Sequence, residues 1–257
     1  MTQVLSVVVP AYNEEACIGS LIEAIQSVDV ETSGFTKEII VVNDGSRDGT
    51  EGVVRRYPRV RLINQHPNQG RGAALRRGID AATGDYILFQ DADLEYDPAD
   101  YPALLAVLRS GKQVVYGNRL AGVIREFGRG LFPGKHPKQG VAPWAAALVI
   151  RAWTSVLVGH WVPDMYSGLK LYPARPLQQL ELETSGFELD HEITVKLYRG
   201  GLRFGEAPIR YRPRSVAEGK KIRPRDGIIA LWAVLRYRVK PYARCVRASA
   251  GDAGRRG

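Results

Sequence analysis

The chain has 257 residues, of which 45% are hydrophobic and 25% charged, and this ordinary globular composition excludes a disordered or fibrous protein. Two cysteines, Cys17 and Cys245, and four scattered histidines exclude a disulfide framework and a zinc site of the Cys₄ or Cys₂His₂ type. The net charge is +9, and residues 203–257 alone carry +11, with 15 Lys and Arg against 4 Asp and Glu. We therefore expect an anionic partner for the C-terminal quarter, either a membrane surface or a nucleic acid.

The first 120 residues alternate short β-branched runs with helical patterns. Continuous apolar runs are typical of strands buried on both faces, and strand–helix alternation predicts a mostly parallel α/β sheet with helices on both faces. The predicted strands are 4–9, 38–43, 60–64, 85–90 and 113–116, and the predicted helices are 14–28, a short helix ending at 57, 70–82 and 98–109.

The second half of the chain is less regular. Its predicted elements are a mobile loop over 121–140, helices over 142–158 and 187–198, a strand over 202–211, a basic loop over 212–225 and an amphipathic helix over 226–237. We expect a main domain over 1–225, an amphipathic helical segment over 226–247 and a disordered tail over 248–257. The most apolar stretch, 141–161, contains Arg151, and a clear membrane span is not expected.

An acidic turn follows the predicted strand 85–90. Asp91 and Asp93 are separated by one residue, and Glu95 adds a third carboxylate. Two carboxylates on a tight turn can reach one divalent cation, which commonly also binds substrate phosphates. A solvated acidic turn is the alternative interpretation, and the position after a buried strand makes the two about equally plausible.

Two further loops carry polar side chains at predicted strand ends. Pro10, Tyr12 and Glu14 follow the first strand, and Asp44 follows the second. Each is also explained by a simple helix start or a turn. Because ligands collect beyond the carboxyl ends of parallel strands, three acidic strand ends together predict a ligand site at one sheet edge.

At this point the sequence closely resembles the family 2 inverting glycosyltransferases of the GT-A fold, and among them the dolichyl- and polyprenyl-phosphate sugar synthases. The resemblance runs from residue 4 to about 240. Its motifs are VVVPAYNEE at 7–15, VVNDGSRDGT at 41–50, NQGRGAALRRGI at 68–79, QDADLEYDP at 90–98, YGNR at 116–119, PDMYSGLKLY at 163–172, GFELDHEITVKL at 186–197 and EAPIRYRPRSVAEGKKIRPRDG at 206–227.

The resemblance implies a nucleotide-sugar donor and a divalent cation, Mg²⁺ or Mn²⁺. The residues that match positions binding the donor nucleotide are Pro10, Tyr12, Glu14, Asp44 and Asp91. The residues that match the metal site are Asp91, Asp93 and Glu95, where Glu95 stands in place of a frequent glutamine.

The resemblance also implies a lipid-phosphate acceptor. Arg119 matches an arginine near the acceptor phosphate, although Asn118 replaces the usual serine before it, and Arg151 falls near another arginine of that role. Arg214, Lys220 and Lys221 match a basic loop that closes over the diphosphate.

A phosphate acceptor is chemically consistent with these basic residues. A phosphomonoester has a second pKa of about 6, so near neutral pH it is already ionised and needs positioning rather than a general base. The runner-up is the same fold acting on a sugar or lipid hydroxyl, with Glu192 or Asp190 as the base. The intact aspartate pair argues against a non-catalytic nucleotide-sugar-binding protein.

Two other enzyme classes fit poorly. Pro10 after the first strand replaces the glycine-rich turn of a Rossmann dehydrogenase, and an acidic first loop disfavours a nucleotidyltransferase.

Tryptophans mark the helices expected to meet a membrane. Trp144, Trp153 and Trp161 lie in or beside the helix 142–158, and Trp232 lies in the helix 226–237. Apolar helices with tryptophan and flanking basic residues are typical of membrane interfaces, although both helices could simply cover the sheet. We expect a peripheral enzyme on the cytoplasmic face of the membrane, and we do not expect a nucleic-acid partner, since an aromatic-interleaved basic platform is lacking.

Overall fold

Seven strands form one sheet in the computed structural model, which describes residues 2–138, 140–214 and 224–244. The spatial order is β3-β2-β1-β4-β6-β5-β7. β6 runs antiparallel to both of its neighbours, and the other pairs are parallel, so the predicted mostly parallel α/β sheet is confirmed. The strands are β1 (Gln3–Ala11), β2 (Phe35–Asn43), β3 (Val60–Asn64), β4 (Tyr86–Phe89), β5 (Val114–Asn118), β6 (Lys170–Pro173) and β7 (Phe204–Pro208).

Helices cover both faces of this sheet, because alternate side chains of each strand point to opposite faces. Val7 and Val9 of β1 belong to one buried cluster, and Val8 between them belongs to a second. The helices are α1 (Glu15–Ser27), α2 (Thr50–Val54), α3 (Arg71–Ala81), α4 (Tyr101–Arg109), α5 (Arg119–Phe127), α6 (Val141–Val158), α7 (Ala174–Gln178), α8 (Leu189–Arg199) and α9 (Pro224–Val239).

The prediction of a mobile loop over 121–140 is wrong for its first part. Residues Arg119–Phe127 form α5, and the Asn118 side chain caps this helix by accepting a hydrogen bond from the Ala121 amide at 2.8 Å. The helix is only nine residues long and a stretch rich in Gly and Pro follows it at 128–140, which explains why the whole segment was predicted as a loop.

Strand β6 was not predicted. Its four residues begin with Lys170, a charged residue at a fully buried position of the sheet. The predicted strand 202–211 is real but shorter, since β7 covers Phe204–Pro208.

The C-terminal helix α9 packs against α6 and α8. It buries Ala230, Val234 and Tyr237, and it leaves Ile228 and Trp232 exposed. The predicted tail 248–257 and most of the basic loop, including Lys220 and Lys221, lie outside the described residues.

Candidate active site

The loops after β1, β2 and β4 meet at one edge of the sheet. β1 and β2 end side by side, with Ala11 paired to Asn43, and β4 runs beside β1 as far as Phe89. The predicted convergence of acidic strand ends is therefore confirmed. The residues that lie at this edge are Pro10, Tyr12, Glu14, Asp44, Asp91, Asp93 and Glu95.

Asp44 organises the backbone beside this edge. Its Oδ1 accepts hydrogen bonds from the Gln65 amide group at 2.7 Å and from the Gln69 N–H at 2.8 Å, and its Oδ2 accepts from the Gly70 N–H at 2.8 Å. Charge-assisted bonds of this kind are about twice as strong as neutral ones. The carboxylate thus fixes the turn that leads into α3.

Arg214 bridges two sides of an open cleft. Its Nη1 lies 3.1 Å from Glu14 Oε2, its Nη2 lies 3.1 Å from Cys17 Sγ, and its backbone N–H donates to Glu95 Oε1 at 2.6 Å. Burial opposes the charge of Arg214, but Glu14 and Asp93 outweigh that effect and raise its pKa. The cleft has a volume of about 780 Å³ and is lined by Asn13, Glu14, Glu15, Ala16, Cys17, Asp48 and Arg214.

The turn that carries Asp91, Asp93 and Glu95 has an unusual backbone. Leu94 has φ of 58°, a left-handed conformation that is rare for a bulky residue, and the Glu95 N–H donates to Asp93 Oδ1 at 3.2 Å. Strain of this kind persists where the surrounding structure imposes it, often at functional sites.

The acidic turn fits a cation without forming a closed cage. In the described residues, no three Asp, Glu, His or Cys side chains converge on one point. Burial raises the pKa of Asp93 to about 7, and the neighbouring carboxylates of Asp91 and Glu95 add to this effect. Because Mg²⁺ usually keeps waters and takes only one or two carboxylates together with substrate phosphates, Asp93 and its neighbours suit such an ion.

A buried chain of ion pairs leads from the sheet interior to Asp91. Lys170 Nζ lies 2.8 Å from Asp190 Oδ1, as a contact of opposite charges rather than an aligned hydrogen bond. Asp190 Oδ2 lies 2.9 Å from Arg71 Nη1, and Arg71 Nε lies 2.8 Å from Asp91 Oδ1. Burial opposes the charge of Asp190, but Arg71 and Lys170 keep its pKa below the usual value.

Arg71 and Lys170 were not predicted as site residues. Arg71 lies in the motif at 68–79 and Lys170 in the motif at 163–172. Their partners lie on other elements, and local sequence spacing carries no signal for such pairs.

Two arginines predicted for the acceptor lie beside a pair of carboxylates. Arg119 binds Asp164 through Nε and Nη2, each at 2.8 Å, and its guanidinium lies 5.0 Å from the centre of the Tyr211 ring. Arg151 Nη2 lies 3.0 Å from Glu206 Oε2. Glu206 Oε1 in turn accepts the Asp164 N–H at 2.8 Å, so the two arginine–carboxylate pairs are connected.

Glu192 serves the fold. It is fully buried, its carboxylate accepts the N–H groups of Glu183 and Thr184 at 2.9 Å each, and it lies 2.5 Å from Lys196 Nζ. With its oxygens turned to these buried groups, Glu192 is poorly placed to act as the general base, one of the two candidates for a hydroxyl acceptor.

The chain is similar to several known proteins. A family model described as glycosyl transferase family 2 matches residues 6–138. A dolichyl-phosphate beta-glucosyltransferase of Trichomonas vaginalis is 29% identical over 224 residues, which cover 80% of this chain and 65% of the relative. A dodecaprenyl-phosphate galacturonate synthase of Rhizobium johnstonii is 33% identical over 183 residues, covering 69% of this chain and 50% of the relative. The chain thus spans between about half and two thirds of these curated relatives.

A solved structure shares the fold. Glucosyl-3-phosphoglycerate synthase from Mycobacterium tuberculosis, crystallised with Mn²⁺, UDP and phosphoglyceric acid, superposes with a TM-score of 0.66 at 23% identity, covering 93% of this chain and 80% of that one. The likeness identifies the sheet as that of the GT-A glycosyltransferases. Since the family model covers more than half of the residues, the chain belongs to glycosyl transferase family 2.

Proposed function

We propose that the protein is an inverting glycosyltransferase that moves a hexose from a nucleotide sugar to a polyprenyl or dolichyl phosphate. The observation that carries this proposal is the state of the two candidate bases. Glu192 is fully buried against Lys196, and Asp190 is held between Arg71 and Lys170. An acceptor that is already ionised needs no base, and a lipid phosphate meets that requirement. The relatives named above use lipid phosphates of this class, as their names state.

The donor side of the proposal uses the acidic edge of the sheet. Pro10, Tyr12, Glu14 and Asp44 would hold the nucleoside, and Asp91, Asp93 and Glu95 would hold Mg²⁺ or Mn²⁺ together with the diphosphate. The cation would offset the charge on the departing nucleoside diphosphate. Arg214, which already reaches Glu14 and the acidic turn, is placed to add positive charge there, with Lys220 and Lys221 proposed for the same role.

The acceptor side uses Arg119 and Arg151. Arginine matches a phosphate by paired hydrogen bonds, and Asp164 and Glu206 hold the two guanidinium groups in place. A phosphate oxygen would attack C1 of the sugar in line as the bond from C1 to the diphosphate breaks, so the linkage inverts from α to β.

A membrane surface is the proposed location of the lipid. In α6, Val149, Trp153 and Val156 are 63%, 41% and 78% exposed and share one helix face, whereas Arg151 is buried toward Glu206. A helix that turns its charge inward and its apolar residues outward suits an interface better than a cover for the sheet.

In α9, Ile228 and Trp232 are exposed one helical turn apart. Of the described helices, α6 alone is long and apolar enough to cross a membrane, with a mean hydropathy of 1.6. The Arg151–Glu206 pair docks it on β7. We therefore propose peripheral association with the cytoplasmic face.

A transfer assay tests the function. The purified full chain is incubated with Mg²⁺ or Mn²⁺, a panel of nucleotide sugars, and either a polyprenyl phosphate or the free polyprenol of the same length. We expect a lipid-linked sugar from the phosphate alone, a loss of at least a hundredfold in Asp93→Asn, and a loss of activity on adding EDTA. Product from the free polyprenol at a similar rate would establish the hydroxyl acceptor instead.

Glu192→Gln distinguishes the two acceptors further. Breaking a fully buried pair costs about 3–5 kcal/mol of stability, because Lys196 is left without its carboxylate. We expect a lower midpoint in urea, with kcat per folded molecule within twofold of wild type. Glu181→Gln, at an exposed side chain, is the control for stability. A kcat that falls a thousandfold in folded Glu192→Gln would assign a base to this position.

A further inference from the structure

The Asp91 carboxylate is confined on two sides. On one side, Arg71 Nε lies 2.8 Å from Oδ1. On the other side, the backbone of Gly168 comes so close that a Cβ at that position would lie 2.4 Å from Asp91 Oδ2 and 2.6 Å from Tyr96 Cε2. Distances below 3 Å are too short for such atoms, so glycine is needed there, and the carboxylate fits between a guanidinium and a backbone.

Arg71 itself has little freedom. It is the first residue of α3, and the start of that helix is pressed against the loop at 185–186, where the Ala73 N–H donates to the Ser185 carbonyl at 3.1 Å. A Cβ at Gly72 would lie 2.6 Å from the Gly186 carbonyl oxygen. The backbone that carries Arg71 is therefore fixed, and so is the direction from which the guanidinium reaches Asp91.

The chain of charges runs outward from the sheet interior to the acidic turn. Side-chain exposure rises from 0% at Lys170 through 9% at Asp190 and 14% at Arg71 to 22% at Asp91. If these charges only connected β6, α8 and α3, the pairs Lys170–Asp190 and Asp190–Arg71 would be sufficient. The additional contact with Asp91 places the outer end of the network on a side chain of the candidate active site.

We propose that Arg71 is a positioning residue for sugar transfer, which holds the Asp91 carboxylate against Gly168 while the Asp190–Lys170 pair anchors its guanidinium. The inference rests on the proposed function in one respect, namely that Asp91 contacts the donor. Arg71 acts through Asp91 and makes no contact with the substrate of its own. This assignment separates it from the basic residues 214, 220 and 221, which we propose contact the diphosphate directly.

Kinetics of four variants test the assignment. Arg71→Met removes the guanidinium and keeps the apolar stem, and Arg77→Met removes an exposed arginine from the same helix as a control. We expect Arg71→Met to lower kcat/KM for the nucleotide sugar at least tenfold with the KM for polyprenyl phosphate unchanged within twofold, and Arg77→Met to match wild type. Asp91→Asn and the double variant Arg71→Met/Asp91→Asn should agree within twofold, because Arg71 has no separate route to the donor.

Two kinetic outcomes would overturn the inference. Losses that multiply in the double variant would show that Arg71 meets the donor directly. An Arg71→Met protein with wild-type activity per folded molecule would show that Arg71 only connects structural elements and has no role in sugar transfer. If Arg71→Met does not fold, Gly168→Ala displaces the same carboxylate from the opposite side, and it should lower kcat/KM for the donor with Arg71 intact.

A crystal structure of the full-length Arg71→Met protein, compared with wild type, tests the position of the Asp91 carboxylate independently of any activity measurement. We expect the Asp91 carboxylate to leave its place beside Gly168, and an unchanged position would overturn the inference. If wild type transferred no sugar from any donor, the proposed function would fail, while this comparison would still decide what Arg71 does.

Discussion

Both arginines of the proposed acceptor site are bound to carboxylates in the folded chain. Asp164 takes two bonds from the Arg119 side chain, and burial opposes the charge of Asp164 while Arg119 keeps its pKa below the usual value. An arginine held in this way presents its remaining N–H groups in a fixed direction, which lowers the entropy lost on binding a phosphate. The carboxylate partner of each arginine is therefore expected to affect phosphate binding as well as the arginine itself.

Asp164→Asn tests this dependence. The amide keeps the shape of the side chain but removes its charge and one acceptor, so Arg119 loses its orientation. We expect the KM for polyprenyl phosphate to rise about tenfold, which corresponds to about 1.4 kcal/mol, with the donor KM unchanged. Initial rates at varied acceptor measure this change, and Glu126→Gln at an exposed position of α5 is the control. An unchanged acceptor KM would separate Arg119 from the acceptor.

The helices and strands differ in how clearly they can be predicted from the sequence. The buried strands β1 and β2 are continuous apolar runs, and their prediction was accurate to within three residues at each end. β6 was missed because a short antiparallel strand that begins with a buried lysine has no such run. α5 was missed because it is only nine residues long and a stretch rich in Gly and Pro follows it. The Lys170 ammonium is tolerated inside the sheet because Asp190 comes to it from α8.

Helix α6 is expected to contact the membrane through its exposed valines. Val149 and Val156 face outward, so replacing both with serine removes apolar area without disturbing the core. Burying a valine contributes about 1.5 kcal/mol, so we expect binding to vesicles that contain anionic lipid to weaken by about a hundredfold. Co-sedimentation measures the loss.

The matched control for the α6 variant carries serine at Ala99 and Ala106, exposed positions at and beside α4, which packs on β5 and β7. Equal binding of all three proteins would show that α6 is not the membrane contact. Retained transfer to a short, water-soluble polyprenyl phosphate would show that the serine variant is still folded and active.

The whole molecule carries a pH dependence through His191. Burial lowers the pKa of this side chain to about 4, against an ordinary value of 6.5. Below pH 6.5 His191 becomes protonated in the unfolded chain but stays neutral in the folded chain, so the free energy of unfolding falls as the pH drops from 6.5 toward 4. The neighbours of the ring include Met165, whose sulfur lies 3.5 Å from Nδ1, and Tyr166.

His191→Gln removes this contribution. We expect wild type to lose about 2 kcal/mol more of its unfolding free energy than His191→Gln between pH 7.5 and pH 5, since the roughly 1.5 pH units below 6.5 contribute about 1.4 kcal/mol each. Urea unfolding at the two pH values measures the difference. Parallel losses in the two proteins would mean that other groups account for the acid sensitivity.

The parallel α/β architecture, the acidic edge and the family could be predicted from local patterns, because apolar periodicity and strand-end motifs are properties of short segments of the chain. Asp44, Asp91 and Asp93 were correctly predicted at one sheet edge, since parallel strands end there together. The partner of each charged side chain, in contrast, could be found in the folded protein alone. Arg71 meets Asp190 across 119 residues of chain, and Glu192 is fully buried against Lys196. These pairings follow from how helices pack on the sheet, and packing brings together residues whose separation in sequence carries no periodic signal.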